Sequence, residues 1–240
     1  MSRIYDAMRR GAALEAARTS PRAQGANGAA VVDPVAEGYQ RVLQRIQARP
    51  EAGPPGVILV VSAVHGEGSS TVARELALLF ARDGLARSVL VDANLRTPSQ
   101  HLAFGVERSG GVTEIATHGL ALDQALRNGA SSSVPLLTCG RPTSNPAGAL
   151  ATPAMREALQ SLRARFDWVI LDGPPVTAYS DAGVLAPLTD GVVLVVQAER
   201  TRWEVAQQAK RALEEAGGRI LGGVLSRRRF HIPEALYGLL

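Results

Sequence analysis

The sequence is poor in several residues that usually announce a function. It has one cysteine, Cys139, which excludes an internal disulfide and a cysteine-built zinc site. It has one lysine, Lys210, among 26 basic residues. Aromatic residues make up only 4% of the chain. No apolar run approaches the ~20 residues that a membrane-spanning helix needs. The first ten residues carry charge with no apolar stretch behind them, so no secretory leader and a cytoplasmic location are expected. What remains is an ordinary globular composition of 240 residues, 46% apolar and 20% charged, which rules out collagen-like, coiled-coil and wholly disordered chains. The net charge is +4. Charges of both signs are interspersed and the arginines form no long stripe, so no nucleic-acid partner is expected despite the basic balance.

Punctuation divides the chain into three parts. Residues 1–34 read as a short N-terminal helix, with Ile4 and Met8 on one face, followed by a flexible linker rich in Ala, Gly, Ser and Pro. Residues 35–226 read as one α/β domain, and residues 227–240 as a basic and apolar tail. From Val35, the positions Val35, Tyr39, Val42, Leu43 and Ile46 form one helical stripe. Strands and helices then alternate. Strands are expected at Val57–Ala63, Ser88–Asp92, Val134–Cys139, Asp167–Asp172, Val192–Gln197 and Arg219–Leu225, and helices at Thr71–Arg82, 147–165, Asp181–Leu188 and Arg202–Ala216. Continuous apolar strands separated by amphipathic helices imply a mainly parallel, doubly wound sheet with helices on both faces, of the P-loop NTPase kind. Ligands of such sheets sit at the carboxyl ends of the strands.

The loop after the first strand, Ala63-Val64-His65-Gly66-Glu67-Gly68-Ser69-Ser70-Thr71, lies between a buried strand and an amphipathic helix. Glycines there let backbone N–H groups approach phosphate oxygens, and the helix dipole favours an anion. Aligned on G-x-x-x-x-G-K-[ST], Gly68 is the last glycine and Ser70 the hydroxyl that would meet magnesium. The first glycine is replaced by Ala63 and the lysine by Ser69. A plain glycine turn is the competing explanation. Two further strands end in acids, Asp92 and Asp172. If both flank the loop strand, their carboxylates and Ser70 make an oxygen-rich site that suits magnesium; otherwise they merely cap the turns that follow.

Taken together, the loop, Asp92-Ala-Asn-Leu-Arg96-Thr-Pro98 and Asp172-Gly-Pro-Pro175 resemble the three Walker motifs of the bacterial tyrosine kinases of capsule and exopolysaccharide assembly. Ser2-Arg-Ile-Tyr-Asp-Ala-Met, Asn145-Pro146, Ser180-Asp181-Ala182 and Leu188-Thr-Asp190-Gly191 also fit, over roughly residues 35–226 plus the N-terminal segment. The resemblance implies ATP or ADP with magnesium, bound by Gly66, Glu67, Gly68, Ser69, Ser70, Thr71 and Arg96, with Ser70, Asp92 and Asp172 at the metal and Asp92, Asn94 and Asp172 at the catalytic positions. It also implies recruitment to the inner membrane by the cytoplasmic part of a membrane-anchored polysaccharide co-polymerase or export protein, and a homo-oligomer built through the helix at 35–47.

Four departures bear on chemistry. The loop lysine is Ser69. The second acid of the Asp-x-Asp-x-Arg motif is Asn94, and an amide cannot take a proton at neutral pH. The tyrosine-rich tail of the family is reduced to Tyr237. The Glu-x-x-Arg-x-x-Arg motif that would start at Glu37 has Gln40 and Leu43, and Arg41 and Arg45 instead follow Glu37 at i+4 and i+8. The expected function is therefore a kinase-like regulatory subunit of capsule or exopolysaccharide assembly, a pseudokinase that keeps the fold and room for a bound nucleotide without turnover. Two alternatives stay open: an active tyrosine autokinase using an arginine from a neighbouring subunit, and a partition or septum-placement ATPase sharing the same sheet.

Overall fold

In the computed structural model, residues 56–82, 86–129 and 133–227 are described, together with Val42 and Gln44, both helical. The chain divides into two units, Met1–Asp33 and Pro34–Leu240, and every described residue belongs to the second. The expected N-terminal helix, the linker, most of the helix at 35–47 and the tail beyond Arg227 lie outside the described residues.

The element order is β1 (Gly56–Ser62), α1 (Ser69–Ala81), β2 (Ser88–Asp92), α2 (Gln100–Phe104), α3 (Val112–His118), α4 (Leu122–Ala125), β3 (Leu126–Asn128) and β4 (Pro135–Leu137). It continues with α5 (Pro146–Leu150), α6 (Pro153–Arg165), β5 (Trp168–Asp172), α7 (Asp181–Leu185) with a following 3₁₀ turn, β6 (Gly191–Gln197), α8 (Trp203–Glu215) and β7 (Ile220–Ser226). The seven strands form one sheet in the order β3-β4-β2-β5-β1-β6-β7. All pairings are parallel except β3 with β4. This is the doubly wound α/β sheet that the alternation implied.

The central strands are apolar between their ends because both of their faces are covered. Val57, Leu59 and Val61 join Val89, Val91, Val169 and Leu171 in one core cluster, beneath α3, α6 and α7. Ile58 and Val60 join Leu90 and Ile170 in the other, where Val72, Leu76 and Phe80 of α1 pack. Phe80 stacks on Trp168 with ring centroids 4.2 Å apart, clamping the far end of α1 to the start of β5.

Some boundaries moved. The expected helix over 147–165 is two helices, because Pro153 has no N–H to continue the ladder and Thr152 caps the new start, its Oγ1 accepting from Met155 N at 3.2 Å. The strand expected over Val134–Cys139 is only Pro135–Leu137. Its short antiparallel partner β3, and α2 to α4, carry too few residues to show a period.

Register decides where the acids go. Asp92 is paired with Asp172 across β2 and β5, and Asp172 with Val60 across β5 and β1. The chain then leaves β5 through Gly173, whose N–H donates to Val60 O at 2.9 Å. A Cβ at Gly173 would stand 2.7 Å from Val61 Cγ1 and 2.8 Å from Leu59 Cδ1, both on a buried strand. Gly173→Ala therefore overpacks the core beside the acid pair. It should cost about 1–3 kcal/mol, read as a lower urea midpoint at unchanged m-value. An unchanged midpoint would show that β1 yields freely at this point.

Candidate functional site

The glycine loop is shaped by two positive backbone angles, φ 85° at Gly66 and 91° at Gly68. Nothing lies within 4 Å of a Cβ at either position, so the backbone conformation, not crowding, calls for glycine. Gly68 is the N-cap of α1, and its carbonyl accepts from Thr71 N and Val72 N, each at 3.1 Å. Thr71, expected at the phosphate, thus has its N–H turned back to the cap. The N–H groups of Ser69 and Ser70 belong to the first turn, where a helix has no internal acceptor. The first turn of α1 contains no acidic residue, so the positive end of its dipole is left for an outside anion. His65 is exposed at the loop tip.

The two carboxyls stand side by side at the adjoining strand ends, both fully buried. Asp92 Oδ2 accepts from Ser99 N at 3.2 Å and Gln100 N at 3.1 Å. Asp172 Oδ2 accepts from Gln100 Nε2 at 2.7 Å, and the Ser70 side chain hydrogen-bonds the same carboxyl. The remaining oxygen of each, Oδ1, is buried with no partner. Two orphaned hard oxygens beside a serine hydroxyl fit a magnesium ion, which typically takes one or two carboxylates and completes its shell with phosphate oxygens and water. No group of three or more His, Cys, Asp or Glu among the described residues could hold a metal, so Ser70 and a ligand's own oxygens have to complete the shell. Such an ion would supply charge neutralisation for a bound polyphosphate.

Burial raises both carboxyls well above the ordinary carboxylate range, and the Asp172 charge adds to the effect at Asp92. Hydrogen bonds from Gln100 and Ser99 oppose the shift at Asp92, and those from Gln100 and Ser70 oppose it at Asp172.

Three expected site residues, two of them ligands and one a catalytic position, have partners within the protein. Arg96 makes a two-pronged pair with buried Asp181, Nε to Oδ2 at 2.8 Å and Nη2 to Oδ1 at 3.1 Å, and lies 4.4 Å from the Tyr179 ring centroid. Its guanidinium fastens the loop after β2 to α7. Asn94 closes a turn on Thr97, its Oδ1 accepting from Thr97 N at 3.1 Å and its Nδ2 donating to Thr97 Oγ1 at 3.2 Å. The Glu67 carboxylate points into the protein, accepting from Val64 N at 2.8 Å and Gln197 N at 3.2 Å.

One residue was missed. Gln100 is wholly buried, donates from Nε2 to both Ser70 O (2.8 Å) and Asp172 Oδ2, and accepts from Arg74 Nη1 at 3.4 Å. It joins the loop helix to both acidic strand ends. Its only sequence signal is its place after Pro98-Ser99, at the start of a five-residue helix.

The acid pair sets a pH dependence. A carboxyl raised in the folded state keeps its proton after the unfolded one, with an ordinary value near ~4, has lost it. Stability of the ligand-free protein therefore falls as pH rises from about 4 through the folded values. Asp92→Asn keeps the acceptor for Ser99 and Gln100 and removes one charge. It should be more stable than the parent by about 1–3 kcal/mol at pH 8, with the gap closing toward pH 4. Parallel Tm–pH curves for the two proteins would refute the charge conflict.

Comparison with known proteins agrees with this geometry. The family model described as ParA: NUBPL iron-transfer P-loop NTPase matches residues 55–235. The tyrosine-protein kinase YwqD of Bacillus subtilis is 35% identical over 183 residues, covering 75% of this chain and 77% of that one. The putative tyrosine-protein kinase CapB of Staphylococcus aureus is 26% identical over 170 residues, 71% and 74% of the two chains. Among solved structures, the VpsO kinase domain matches with TM-score 0.73 and 30% identity, covering 82% of this chain and 96% of that one. The cell division ATPase MinD of Pyrococcus furiosus, at TM-score 0.60, 24% identity and 77% and 78% coverage, shares the fold. On this likeness, and on the ParA-type match over most of its length, the chain belongs to the bacterial tyrosine kinase family of P-loop NTPases.

Proposed function

We propose that the chain is a nucleotide-binding, kinase-like regulatory subunit of capsule or exopolysaccharide assembly that has lost phosphoryl transfer. The observation that carries this reading is the division of the site into a kept half and a missing half. The kept half is the cation cradle: the free Oδ1 atoms of Asp92 and Asp172, the Ser70 hydroxyl, and an uncompensated helix N-terminus. The missing half is cationic and basic. Ser69 stands where the loop lysine would neutralise phosphate charge, and removing such a group costs several kcal/mol in a phosphoryl-transfer transition state, on the order of 3–4 kcal/mol. Asn94 cannot accept a proton and is used up by Thr97. Arg96 is held by Asp181, and Arg74, a turn into α1, meets Gln100.

The cysteine content argues against the iron-transfer role named in the description of the family model. Iron–sulfur clusters are held by several cysteine thiolates. The sole cysteine, Cys139, is buried, its thiol accepts from Arg108 Nε at 3.1 Å, and burial pushes that thiol up to about 11. In this reading the partner is the cytoplasmic part of a membrane-anchored polysaccharide co-polymerase or export protein, and the chain acts on the cytoplasmic face of the inner membrane. No helix among the described residues is long and apolar enough to cross a membrane.

The purified chain should bind MgADP in calorimetric titration, lose that binding in Asp172→Ala, and form no phosphotyrosine with MgATP. Ser69→Lys should tighten ATP binding on the order of ten- to a hundredfold, because it places a charge-assisted donor against the β/γ-phosphates. Strong autophosphorylation that disappears in an Asp92→Ala, Asp172→Ala double variant would replace this reading with an active autokinase. A folded Ser69→Lys protein with no detectable ATP binding would mean the loop is only a turn.

A further inference from the structure

Glu67 sits in the middle of the glycine loop, between two left-handed glycines, yet it is 1% exposed. Its carboxylate accepts from three groups on two segments: Val64 N at 2.8 Å, Gln197 N at 3.2 Å, and the Thr201 hydroxyl. Its carbonyl accepts from Ser226 Oγ at 2.6 Å. One residue thus ties the loop after β1 to the exits of β6 and β7. The two exits are tied to each other as well, through Ala198 N to Ser226 O at 3.0 Å and Arg227 Nη1 to Gln197 Oε1 at 3.4 Å.

Backbone geometry marks the same place. Among the described residues only Glu199 and Arg227 are non-glycine positions at positive φ, 61° and 53°. Such conformations persist only where the surroundings over-determine them. One lies in the turn that Glu67 holds through Gln197 and Thr201. The other directly follows Ser226, where residues 228–240 begin.

We propose that Glu67 is a positioning residue which, through Ser226, makes the shape of the glycine loop and the direction in which the chain leaves β7 one coupled unit. Breaking the Ser226 end loosens the loop end at Val64, to which Ser226 makes no bond, and at Gln197, its register partner across β6 and β7. The functional consequence rests on the nucleotide reading above: a phosphate that reshapes the loop alters its hold on the root of the C-terminal segment.

Amide hydrogen exchange of the full-length chain, resolved by NMR without nucleotide, tests the coupling. Ser226→Ala should speed exchange at Val64 and Gln197 by about fivefold or more, the scale of one lost hydrogen bond. Ser226→Thr, which keeps the hydroxyl, should restore it, and Leu90 and Ile170 in the central sheet should not change. Faster exchange confined to Ala198, or a uniform rise that includes Leu90 and Ile170, overturns the proposal. If Ser226→Ala does not fold, the pair Thr201→Val and Thr201→Ser is read at Val64 and Ala198: loss in the first with rescue in the second supports the coupling, and no change at either amide overturns it. In a second arm, MgADP should slow exchange at Ala198 in the parent protein. Binding without any effect at Ala198 also overturns the coupling. Failure of the parent to bind MgADP removes the nucleotide reading alone, because the nucleotide-free arm still decides the latch.

Discussion

Two carboxyls that repel each other in a dry place organise this molecule. Asp92 and Asp172 are brought level by the parallel register of β2 on β5, at the carboxyl edge of a sheet whose strands are apolar on both faces. One oxygen of each is satisfied by groups from the loop after β2, and the other is left unpartnered. Burying like charges without a cation is unfavourable, so the pair keeps protons at a pH where free carboxyls have lost them. Gln100, Ser70 and the turn at Gly173 all follow from holding that pair in place.

Several motifs that carry the family resemblance turn out to be structural joints. Asp190 accepts from Val57 N at 2.7 Å through Oδ2 and pairs with Arg163 at 2.9 Å through Oδ1, so it pins the start of β1 to that of β6 and to α6. Asn145 caps α5 by accepting from Gly148 N at 3.0 Å, with Pro146 in the first helical position. Asp181 anchors Arg96. These residues position the strand ends around the loop and touch no ligand position. That is why the resemblance covers the fold so fully while the residues that do the chemistry depart from it.

What the sequence by itself determined is the architecture. Apolar runs over Val57–Val61, Val89–Val91 and Val192–Val196 admit no surface strand, and the helices between them require parallel crossovers. The phosphate-loop position, the acids at strand ends and the departures at Ser69 and Asn94 were equally legible, because each depends on residue type at a short, fixed spacing. What only the tertiary structure decided is which side chains meet. Arg96 and Asp181 are far apart in the chain, and a guanidinium in a motif reads the same whether it faces a phosphate or a buried carboxylate. Gln100 carries no spacing signal, since its four partners, Ser70, Arg74, Asp92 and Asp172, come from three different elements. Glu67 looks like a loop residue open to solvent until β6 and β7 close over it. Contacts of this kind are set by sheet order and register, which local periodicity does not encode.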